Sequence, residues 1–521
     1  MALRVYNTLT RTKQDFVPRT RGRVDIYQCG ITPYDYTHMG HARQYVFWDT
    51  VRRYLRWRGW RVFCVQNVTD VDDKIIARAN ERGTSPAKVA AEYHEDFLDV
   101  MGRLGVERPD VFPKVTDHMQ DIIRIIEGLV EKGYAYRVDG DVFFDVMRFP
   151  GYGKLSRRSL DDMMAGARVE VDPRKRNAMD FALWKASKPG EPAWDSPWGP
   201  GRPGWHIECS ALALKYLGSG FDFHGGGDEL IFPHHENEIA QSEAYTGQEP
   251  FARYFLHHAM LNVGDAKMSK SLGNFFAVRD VLRQYEPGVI RYYFASRHYR
   301  SPASYSAEEL EAARRAYERL RSTLDAARRQ AADAGRAGAA GVAWTAEAAE
   351  VAGDPAGEPA GEPAGRSAGE PAGWPTAAGV CAGAFAGGDL AKAAREAREK
   401  FIQGMDDDFN TAVALAAVHD LARSVNDALH GRDEADAEGL RLAADTVQEL
   451  GGILGLFRED EGAAAADVGL VDGLVGLLVE VRREMRAKKE WALADRIRDG
   501  LREMGIALED TASGTIWKRE K

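Results

Sequence analysis

The order of apolar and polar positions predicts alternating strands and helices over the first hundred residues. An apolar run at residues 24–28 is typical of a strand, and the segment that follows, 42–55, repeats its apolar residues at helical spacing. A second apolar run at 60–69 precedes a helix that begins near Ser85 and Pro86, an N-cap residue followed by proline at the first helical position. Because strands and helices alternate, the pattern predicts an α/β fold with a doubly wound parallel sheet of the Rossmann-like kind.

The middle of the chain interrupts this pattern. Residues 116–132 have helical periodicity, and residues 134–146 form two apolar runs joined by Asp139-Gly140, the turn chemistry of a hairpin. From there to about residue 200 the sequence is polar, with several Pro and Gly residues. We therefore expect a loop-rich segment inserted between two halves of the nucleotide fold.

The C-terminal part of the chain is helical in pattern. An Ala- and Arg-rich helical stretch leads into residues 351–373, which repeat Gly-Glu-Pro-Ala with variations and predict a disordered or extended excursion. Helix resumes near Asp389 and continues to about Leu456. A small terminal unit follows from about residue 467, with a basic, aromatic helix at 482–498 and then a short strand pair.

Length and composition indicate several globular domains. A chain of 521 residues is too long for one core, and 44% hydrophobic with 28% charged residues is typical of a globular protein. The N-terminus has no apolar targeting segment and no apolar run approaches a membrane span, so we expect a cytoplasmic protein without membrane contact. The net charge of −10 argues against wholesale binding of nucleic acid but allows a local basic surface.

Two of the four cysteines lie where a metal ion would be bound. Cys29 and Cys209 lie among Gly, His and Glu residues, which in a reducing compartment suits a metal better than a disulfide. His234 and Glu238 are four residues apart, hence on one face of a predicted helix, and add two further zinc donors. Spacing alone does not choose the ligand set. Equally able donors are His206, Glu208, His224, His235 and Glu236.

The stretch 29–41 joins the first predicted strand to the first helix and is typical of a phosphate site. A helix N-terminus presents free N–H groups and a positive dipole end, and Gly40 lets the backbone approach a ligand closely. His38 and His41 are three residues apart and therefore on one face of the first turn. The alternative for such a pair is an exposed helix end.

Later segments add further polar groups. Residues 221–228 read as a strand end that runs into a glycine loop. Residues 267–271, Lys-Met-Ser-Lys-Ser, stand between Gly264 and Gly273, and glycines so placed delimit a mobile loop. Taken alone, this last segment has a second interpretation as an ordinary solvated loop.

Five motifs in order along the chain resemble those of one family, the bacterial cysteinyl-tRNA synthetases of class I. Residues 38–41, His-Met-Gly-His, resemble the HIGH signature with Met in place of Ile, and 267–271 match the KMSKS signature. The other three motifs are 29–35, 204–210, and 224–227 with 232–238. The resemblance covers the catalytic region and resumes in the last helices, whereas the Gly-Glu-Pro-Ala segment departs from it. Together the motifs favour the functional interpretation of both phosphate segments.

The resemblance implies a ligase that uses ATP to activate L-cysteine as its adenylate and transfers it to the terminal adenosine of tRNA(Cys). By resemblance the catalytic residues are His38, His41, Lys267 and Lys270. The ATP-binding residues are Thr32, His38, Gly40, His41, Gly226, Asp228 and Lys270, with Mg²⁺ bound alongside ATP. Residues that line the cysteine pocket are Trp205 and His224. The Zn²⁺ ligands, one ion per chain, are Cys29, Cys209, His234 and Glu238.

The role of the implied zinc has two interpretations. Four protein ligands normally indicate a closed structural site, which stays an alternative. Because Cys29 adjoins the HIGH residues, we favour an ion that also takes the substrate's sulfur as a thiolate. Serine would then be refused through metal–ligand chemistry, without an editing domain.

Two basic surfaces are candidates for the tRNA contact that the resemblance implies. The terminal helix at 482–498 supplies one of them, and RNA contact requires such basic and aromatic groups. The other is a cluster after the HIGH helix, made of Arg52, Arg53, Arg56, Arg58 and Arg61. An ordinary solvated helix face is the alternative for each surface. We expect the protein to be a monomer.

The pattern and the resemblance together divide the chain into six segments. The first three are 1–118, the first half of the catalytic domain with the HIGH motif, 119–200, an inserted connective segment, and 201–250, the second half with the zinc ligands. The last three are 251–306, the KMSKS loop and stem-contact region, 307–460, a helical anticodon-binding bundle with a low-complexity insert at about 335–388, and 461–521, a small mixed C-terminal tRNA-binding unit.

Two other functions compete with this prediction. A ligase that joins cysteine to an amino-sugar by the same adenylate chemistry needs the signature and zinc residues, but not the helical and terminal domains beyond residue 306. A catalytically inactive, zinc-stabilised RNA-binding protein has no need of His38, His41 and Lys270, which are all present.

Overall fold

The computed structural model describes most of the chain. It covers residues 2–158, 172–263, 266–267, 276–346, 388–430, 437–457, 477–486, 488, 490–503, 506–511 and 514–519. Two compact units divide the chain, Met1–Leu456 and Phe457–Lys521. The predicted excursion at 351–373 lies outside the described residues.

Strands and helices alternate through the first unit. The strands are β1 (Arg4–Asn7), β2 (Thr12–Asp15), β3 (Arg23–Ile31), β4 (Arg61–Val68), β5 (Ala135–Val138), β6 (Asp141–Phe144), β7 (Phe181–Ala186), β8 (Gly201–Pro203), β9 (Phe221–Gly227), β10 (Ala252–His258), β11 (Leu261–Val263), β12 (Ala266–Lys267) and β13 (Ala303–Tyr305). The helices are α1 (Met39–Trp57), α2 (Asp73–Arg82), α3 (Pro86–Arg103), α4 (Met119–Glu131), α5 (Trp205–Tyr216), α6 (Glu236–Thr246), α7 (Val278–Val281), α8 (Pro287–Ala295), α9 (Ala307–Ala346), α10 (Asp389–Asp406), α11 (Thr411–His430) and α12 (Ala437–Ile453).

Four parallel strands form the central sheet in the order β10-β9-β3-β4, which confirms the predicted parallel fold. The register places Ile26 beside Cys64 of β4 on one side and beside Phe223 of β9 on the other. All three side chains are fully buried, as apolar runs in a parallel sheet covered on both faces should be. Because the strands run in the same direction, their carboxyl ends share one edge of the sheet, where α1 begins.

Local signals in the sequence fix several boundaries. Ser85 caps α3, its hydroxyl accepting a hydrogen bond from the Lys88 amide at 3.4 Å, and Pro86 occupies the first helical position as predicted. The hairpin of β5 and β6 turns at Asp139 and Gly140, both with positive φ, which confirms the predicted turn.

The inserted segment contains more regular structure than its sequence predicted. Strands β7 and β8 extend the hairpin into a four-stranded antiparallel sheet, in the order β5-β6-β7-β8. Phe181 at the start of β7 stacks on Phe144 of β6, with ring centroids 5.0 Å apart. Most of the described residues between 149 and 200 lie outside helices and strands, in agreement with the predicted loop-rich segment, but the sequence did not predict the six-residue strand β7, because polar, Pro- and Gly-containing stretches surround it.

The helical region packs α9 against α8, α11 and α12, while α10 packs against α11 and α12. Gly404 of α10 lies at the crossing with α11, where a Cβ atom would come within 2.9 Å of the Ala414 amide. This is the helical region that the sequence predicted beyond residue 306. Among the described helices, none combines the length and the apolar content that a membrane span needs.

The second unit, described by itself, is small and mixed. Residues 477–486 are helical, α13 spans Trp491–Glu503, and two strands follow, β14 (Ile506–Thr511) and β15 (Gly514–Arg519). The strands pair antiparallel with Leu508 opposite Trp517, which confirms the predicted strand pair. Leu501 and Ile506 form its small buried core.

Candidate active site

Four buried side chains with metal-binding donors meet at the carboxyl edge of the parallel sheet. Cys29 comes from the end of β3 and Cys209 from α5, and they are 4% and 1% exposed. His234 immediately precedes α6 and Glu238 lies in its first turn. One donor atom from each lies within 4.8 Å of the other three. The sequence named these four, and the fold brings them together from three separate segments.

The position of Cys29 is fixed by close backbone packing. A Cβ atom on Gly30 would lie 1.5 Å from the Asn67 carbonyl oxygen, so only glycine lets β3 approach β4 this closely. The Gly30 amide donates to the Asn67 side-chain oxygen at 2.8 Å. On the other side, the Gln44 amide of α1 donates to the Cys29 carbonyl oxygen at 2.8 Å.

Glu238 stands at the centre of the donor cluster. Its Oε1 atom lies 3.0 Å from His234 Nε2 and 3.7 Å from Cys29 Sγ, while its Oε2 atom lies 2.8 Å from His224 Nε2. Burial alone would raise the pKa of this carboxyl group, but His224 and His234 outweigh burial and lower it to about 2. Glu238 is therefore an ionised donor at neutral pH.

His234 is oriented by two neighbours from α5. Its Nδ1 atom lies 2.8 Å from His206 Nδ1, which leaves Nε2 directed at Glu238. The Trp205 ring stacks on the His234 ring with centroids 4.3 Å apart, and Trp205 is 37% exposed, so it lies at the solvent side of the cluster. Metal-binding histidines are generally held in this way through their second nitrogen.

The two thiols differ in acidity. A hydrogen bond from Cys29 lowers the pKa of Cys209 to about 6, although burial opposes this change. Burial raises the pKa of Cys29. Two sulfur donors, one imidazole and one carboxylate are the donor types that zinc takes, and the donor set therefore fits that ion.

The two histidines of the HIGH-like segment lie at the start of α1. His38 is the N-cap residue, one position before the helix, and its Nδ1 accepts a hydrogen bond from the His41 amide at 3.3 Å. The two rings stack with centroids 3.6 Å apart, so they share one face as predicted. Gly40 lies beneath them, and a Cβ atom there would be 3.0 Å from the His38 ring. The half-buried Thr32 follows β3, and its carbonyl oxygen accepts a hydrogen bond from the Tyr34 amide at 3.0 Å.

Strand β9 runs straight through the glycines that the sequence assigned to a loop. A Cβ atom on Gly225 would lie 2.1 Å from the Trp48 ring of α1, and one on Gly226 would lie 2.8 Å from the His235 ring. The glycines therefore allow a helix and a histidine to pack against the strand.

Asp228 directly follows β9, and its Oδ1 has no hydrogen-bond partner among the described residues. Two causes raise the pKa of Asp228: burial is the larger one, and a hydrogen bond with Glu229 is the second.

The second signature segment is described only in part. Lys267 ends β12, which pairs with β11 through Asn262. Lys270 lies outside the described residues.

Arg43 is a site-forming residue that sequence reasoning missed. It lies two residues after His41 on α1 and donates to the carbonyl oxygens of Met260 at 2.8 Å, Tyr299 at 3.1 Å and Ser301 at 2.5 Å. Met260 immediately precedes β11, so Arg43 joins α1 to the start of the β11–β12 hairpin, which ends at Lys267 of the KMSKS-like segment. Burial lowers the pKa of Arg43 to about 10. No local pattern marks a residue whose partners are backbone carbonyls more than 200 positions away.

The other donors that spacing left open have different partners. The Glu236 carboxylate accepts hydrogen bonds from the amides of Leu155 at 3.3 Å and Ser156 at 2.7 Å. Glu208 accepts from the Thr69 hydroxyl at 3.0 Å. These two carboxylates thus hold neighbouring segments and take no part in the four-residue cluster. His224 and His235 do lie at the cluster, in a second arrangement with Cys29 and Glu238.

The arginine cluster after the HIGH helix is not an exposed basic surface. Arg52 is buried and donates to backbone carbonyls at Glu107 and Arg108, with Asp49 beside it. Arg53 pairs with Asp49 at 2.8 Å, and Arg56 pairs with Glu107. Arg58 also has a carboxylate partner, Asp406, at 2.5 Å. Carboxylates and carbonyls from other segments thus meet the charges of these four arginines, so they do not form an unpaired basic surface, while contact with tRNA at this place stays a prediction.

Comparison with known families gives two matches. Residues 15–315 match the family model described as tRNA synthetases class I (C) catalytic domain. Residues 400–458 match the DALR domain. The first match spans more than half of the chain and contains every residue of the cluster.

Several proteins resemble the chain over its whole length. It is 50% identical to the cysteine–tRNA ligase of Pelotomaculum thermopropionicum, with 99% of this chain and 100% of that protein aligned. It is 49% identical to the cysteine–tRNA ligase of Heliobacterium modesticaldum, with both chains fully aligned. It is 47% identical to that of Thermococcus gammatolerans, again with both chains fully aligned.

Solved structures support the fold. Methionyl-tRNA synthetase of Mycobacterium tuberculosis, in complex with methionyl-adenylate, has a TM-score of 0.54 at 16% identity and covers 83% of this chain and 90% of its own. A putative arginyl-tRNA synthetase from Campylobacter jejuni has a TM-score of 0.52 at 11% identity, covering 86% of this chain and 95% of its own. At these identities the likeness concerns architecture alone.

Proposed function

Since the chain belongs to the cysteine–tRNA ligases, a family of class I tRNA synthetases, we propose that the cluster at the carboxyl edge of the sheet is where it selects and activates L-cysteine. The chain charges tRNA with cysteine, at the expense of ATP. The observation that carries the site assignment is the meeting of two thiols, an imidazole and a carboxylate beside the N-terminus of α1.

Cys29, Cys209, His234 and Glu238 would hold one Zn²⁺. The ion would supply a thiophilic position that prefers the thiolate of cysteine over the harder, less acidic hydroxyl of serine. Glu238, ionised and buried, keeps the donor set charged. His206 and Trp205 keep His234 in the orientation that binding needs. Trp205 and His224 border the space that the amino acid occupies.

ATP binds next to the amino acid at the start of α1. The imidazoles of His38 and His41 and the free amides of the helix N-terminus stabilise negative charge on the phosphates. Gly40 allows close backbone approach, and Thr32, which lies between β3 and α1, would contact the phosphates. Gly226 would contact ATP through its backbone alone, because the His235 ring fills the space beside its Cα atom, and Asp228 would accept a hydrogen bond from a ribose hydroxyl. Mg²⁺ would enter bound to the triphosphate of ATP, with water molecules as most of its contacts to the protein.

The activation step is an in-line displacement. The cysteine carboxylate oxygen attacks the α-phosphorus, the bond to the bridging oxygen breaks, and pyrophosphate leaves with the electron pair. The enzyme acts by positioning and by stabilising charge that develops on phosphate oxygens. We assign Lys267 and Lys270 to the β- and γ-phosphates, where their positive charges would neutralise the leaving group.

The transfer step uses the 2′-hydroxyl of the terminal adenosine of tRNA(Cys), which attacks the adenylate carbonyl and releases AMP. The DALR-matching region at 400–458 and the basic terminal unit are the segments that distinguish this function from transfer to an amino-sugar. We further propose that the chain acts as a monomer in the cytoplasm, where its three substrates occur together. Sedimentation at working concentration tests the monomer.

The deciding experiment measures L-cysteine-dependent ATP–pyrophosphate exchange by zinc-replete protein, with L-serine as the matched amino-acid control. We expect exchange with cysteine only. Aminoacylation of tRNA(Cys) and of a glucosaminyl acceptor then follows on the same preparation. Absence of exchange would favour the inactive RNA-binding protein, and transfer to the sugar alone would identify the amino-sugar ligase.

A further inference from the structure

The corner between α10 and α11 contains three consecutive aspartates, residues 406–408, which the proposed mechanism does not use. Asp406 and Asp408 are buried, with 2% and 0% of their surface exposed. Asp408 and the following Phe409 have positive φ angles of 67° and 49°, which side chains larger than glycine rarely adopt. Backbone strain of this kind persists only where surrounding contacts hold the chain in place.

Asp408 holds the turn at residues 298–301. Its Oδ1 atom accepts a hydrogen bond from the Tyr299 hydroxyl at 2.8 Å, and its Oδ2 atom accepts one from Arg300 Nε at 2.7 Å. The Oδ1 atom also accepts from the Tyr6 amide at 2.8 Å. The 298–301 turn is therefore fixed by a buried carboxylate that belongs to the DALR-matching region.

The 298–301 turn in its place fixes Arg43 near the start of α1. The Tyr299 carbonyl oxygen accepts one hydrogen bond from Arg43 at 3.1 Å and another from the Ala259 amide at 2.9 Å. Arg43 also donates to the Met260 carbonyl oxygen at 2.8 Å. Tyr299 thus bonds the helical region through its hydroxyl, and it bonds α1 and the segment before β11 through its carbonyl oxygen.

The start of α1 also meets the chain that follows the KMSKS-like residues. The Met39 amide donates to the Phe276 carbonyl oxygen at 3.1 Å, and the Val278 amide donates to the Thr37 carbonyl oxygen at 2.8 Å. The residues on either side of the first HIGH-like histidine are therefore joined to the start of α7. Because Arg43 fixes the segment before β11, the start of α1 is joined to both ends of the chain between β11 and α7.

We propose that Asp408 and Tyr299 are positioning residues for the activation of cysteine. They hold the 298–301 turn, and the turn holds Arg43. Arg43 then sets the two HIGH-like histidines against the β11–β12 hairpin, which ends at Lys267. Because activation depends on charges placed accurately around the phosphates, a small displacement of either segment lowers the rate. The proposal deepens the proposed function and rests on its activation step.

The neighbouring Asp406 distinguishes this role from a structural one. It accepts hydrogen bonds from the Tyr54 hydroxyl at 2.6 Å and from Arg58 at 2.5 Å, and these two residues lie at the C-terminal end of α1. Both aspartates are buried, and each binds a tyrosine hydroxyl and an arginine. Only Asp408 has partners that lead to the start of α1. If the corner served stability alone, the two aspartates would be equivalent in their effect on the rate.

The test compares Tyr299→Phe with Tyr54→Phe in full-length, zinc-replete protein. Each change removes one hydroxyl group from a buried ring and keeps the carbonyl oxygen. Tyr299→Phe should lower the kcat of cysteine-dependent pyrophosphate exchange by about 2- to 30-fold, the range for coupling through packed side chains. The KM for cysteine and the zinc content should stay unchanged. Tyr54→Phe should leave kcat unchanged, and melting curves show that both variants fold.

A double variant shows whether Tyr299 acts through Arg43. Arg43→Lys keeps the positive charge but loses the planar fork that bonds several carbonyl oxygens at once. If the two residues act in one chain of contacts, Tyr299→Phe should lower kcat less in the Arg43→Lys background than in the wild type. Effects that multiply fully would overturn the proposal.

Amide hydrogen exchange, followed by mass spectrometry, measures the positioning without reference to activity. Tyr299→Phe should speed the exchange of peptides that contain Ala259 and the start of α1, whereas Tyr54→Phe should not. Unchanged protection at both places would overturn the proposal. Equal kcat values for the two tyrosine variants would overturn this role and leave the proposed function intact. Absence of pyrophosphate exchange in the wild type would overturn the proposed function and this role with it.

Discussion

Helix α1 borders two buried polar clusters that have opposite characters. At its N-terminal end is the metal pocket, made of Cys29, Cys209, His234 and Glu238. Along its length is what we call the helix junction, where the fully buried Asp49 accepts hydrogen bonds from Arg291 at 2.6 Å and Arg53 at 2.8 Å. Each cluster has a buried carboxylate whose pKa lies near 2, despite burial that acts to raise it.

The difference lies in what meets the carboxylate. At the junction the partners are arginines, which keep their charge at all working pH values, and Arg291 uses its other N–H groups on the carbonyl oxygens of Leu454 and Leu104. In the metal pocket the partners are histidines and thiols, whose charge depends on what is bound. The junction is therefore complete within the chain and stabilises the fold, whereas we propose that the pocket is completed by a cation and a substrate. Burial and low pKa alone do not distinguish a structural cluster from a functional one.

The largest expected effect breaks the junction. Asp49→Asn leaves Arg291 buried without a carboxylate, and we expect a loss of about 3–5 kcal/mol of stability. Urea unfolding of the full-length protein measures it. Asp280→Asn is the matched control, because Asp280 forms an exposed pair with Arg283 and should cost less than about 1 kcal/mol. Equal losses of unfolding free energy in both variants would show that the buried junction stabilises the fold no more than an exposed ion pair does.

The next effect separates chemistry from stability. Lys270→Ala should lower the rate of cysteine-dependent pyrophosphate exchange by about 10²- to 10³-fold, because it removes the positive charge that stabilises the pyrophosphate leaving group. Its unfolding curve should match that of the wild type. The exposed Lys188 gives the control, since Lys188→Ala should change neither quantity. Normal exchange by the Lys270 variant would refute the phosphate role.

A change in the pocket should affect binding and leave the junction intact. Cys209→Ser should lower zinc content after dialysis and raise the KM for cysteine by about 100-fold or more, since loss of a ligand exceeds the usual effect of a supporting residue. Cys64→Ser changes a buried thiol on β4 outside the four-residue cluster and should retain metal. Unchanged zinc content and unchanged KM together would mean that the predicted ligand set is wrong.

The junction should also have a pH signature. The pKa of Asp49 is about 2 in the folded protein, below its usual 3.8, so its contribution is present above pH 4 and lost as the pH falls toward 2. The stability difference between wild type and Asp49→Asn should shrink by about 2 kcal/mol between pH 5 and pH 2, a shift of roughly two pKa units. Arg52, Arg53 and Arg291 stay charged throughout. A difference that is constant with pH would contradict the pairing.

The smallest effect concerns the rim of the junction. Arg56 is partly exposed and pairs with Glu107, so Arg56→Ala should cost less than about 1 kcal/mol. We expect its affinity for tRNA(Cys) at fixed salt to equal that of the wild type, because the Arg56 charge is already paired. Filter binding measures this. Weaker binding would restore the basic surface that the sequence predicted there.

The sequence predicted elements whose signals are local. The cap at Ser85 and the turn at Asp139-Gly140 follow from patterns within a few residues, and the parallel sheet follows from the alternation of strands and helices; the structure confirms all three. It failed where the partner is distant. Arg52 was expected at an exposed surface because the carbonyl oxygens that accept its hydrogen bonds, those of Glu107 and Arg108, lie more than 50 positions along the chain.

The candidate site shows the same limit. Spacing put His234 and Glu238 on one helix face, and the family resemblance supplied the two cysteines. Spacing did not show that His235 also reaches Glu238, because the direction of consecutive side chains at a helix start depends on the local backbone. Nor did it show that a glycine strand was needed where Trp48 packs on β9. Both facts come from contacts between elements.

The stacking of Trp205 on His234 has a practical consequence. Trp205 is 37% exposed and its ring centroid lies 4.3 Å from that of His234, so we expect its emission to change when His234 binds an ion or when a substrate displaces water from the indole face. The chain has 11 tryptophans, but subtraction of the Trp205→Phe spectrum isolates this one. The pocket thus contains its own optical reporter, with which metal loading and cysteine entry become observable in stopped-flow time without any added label.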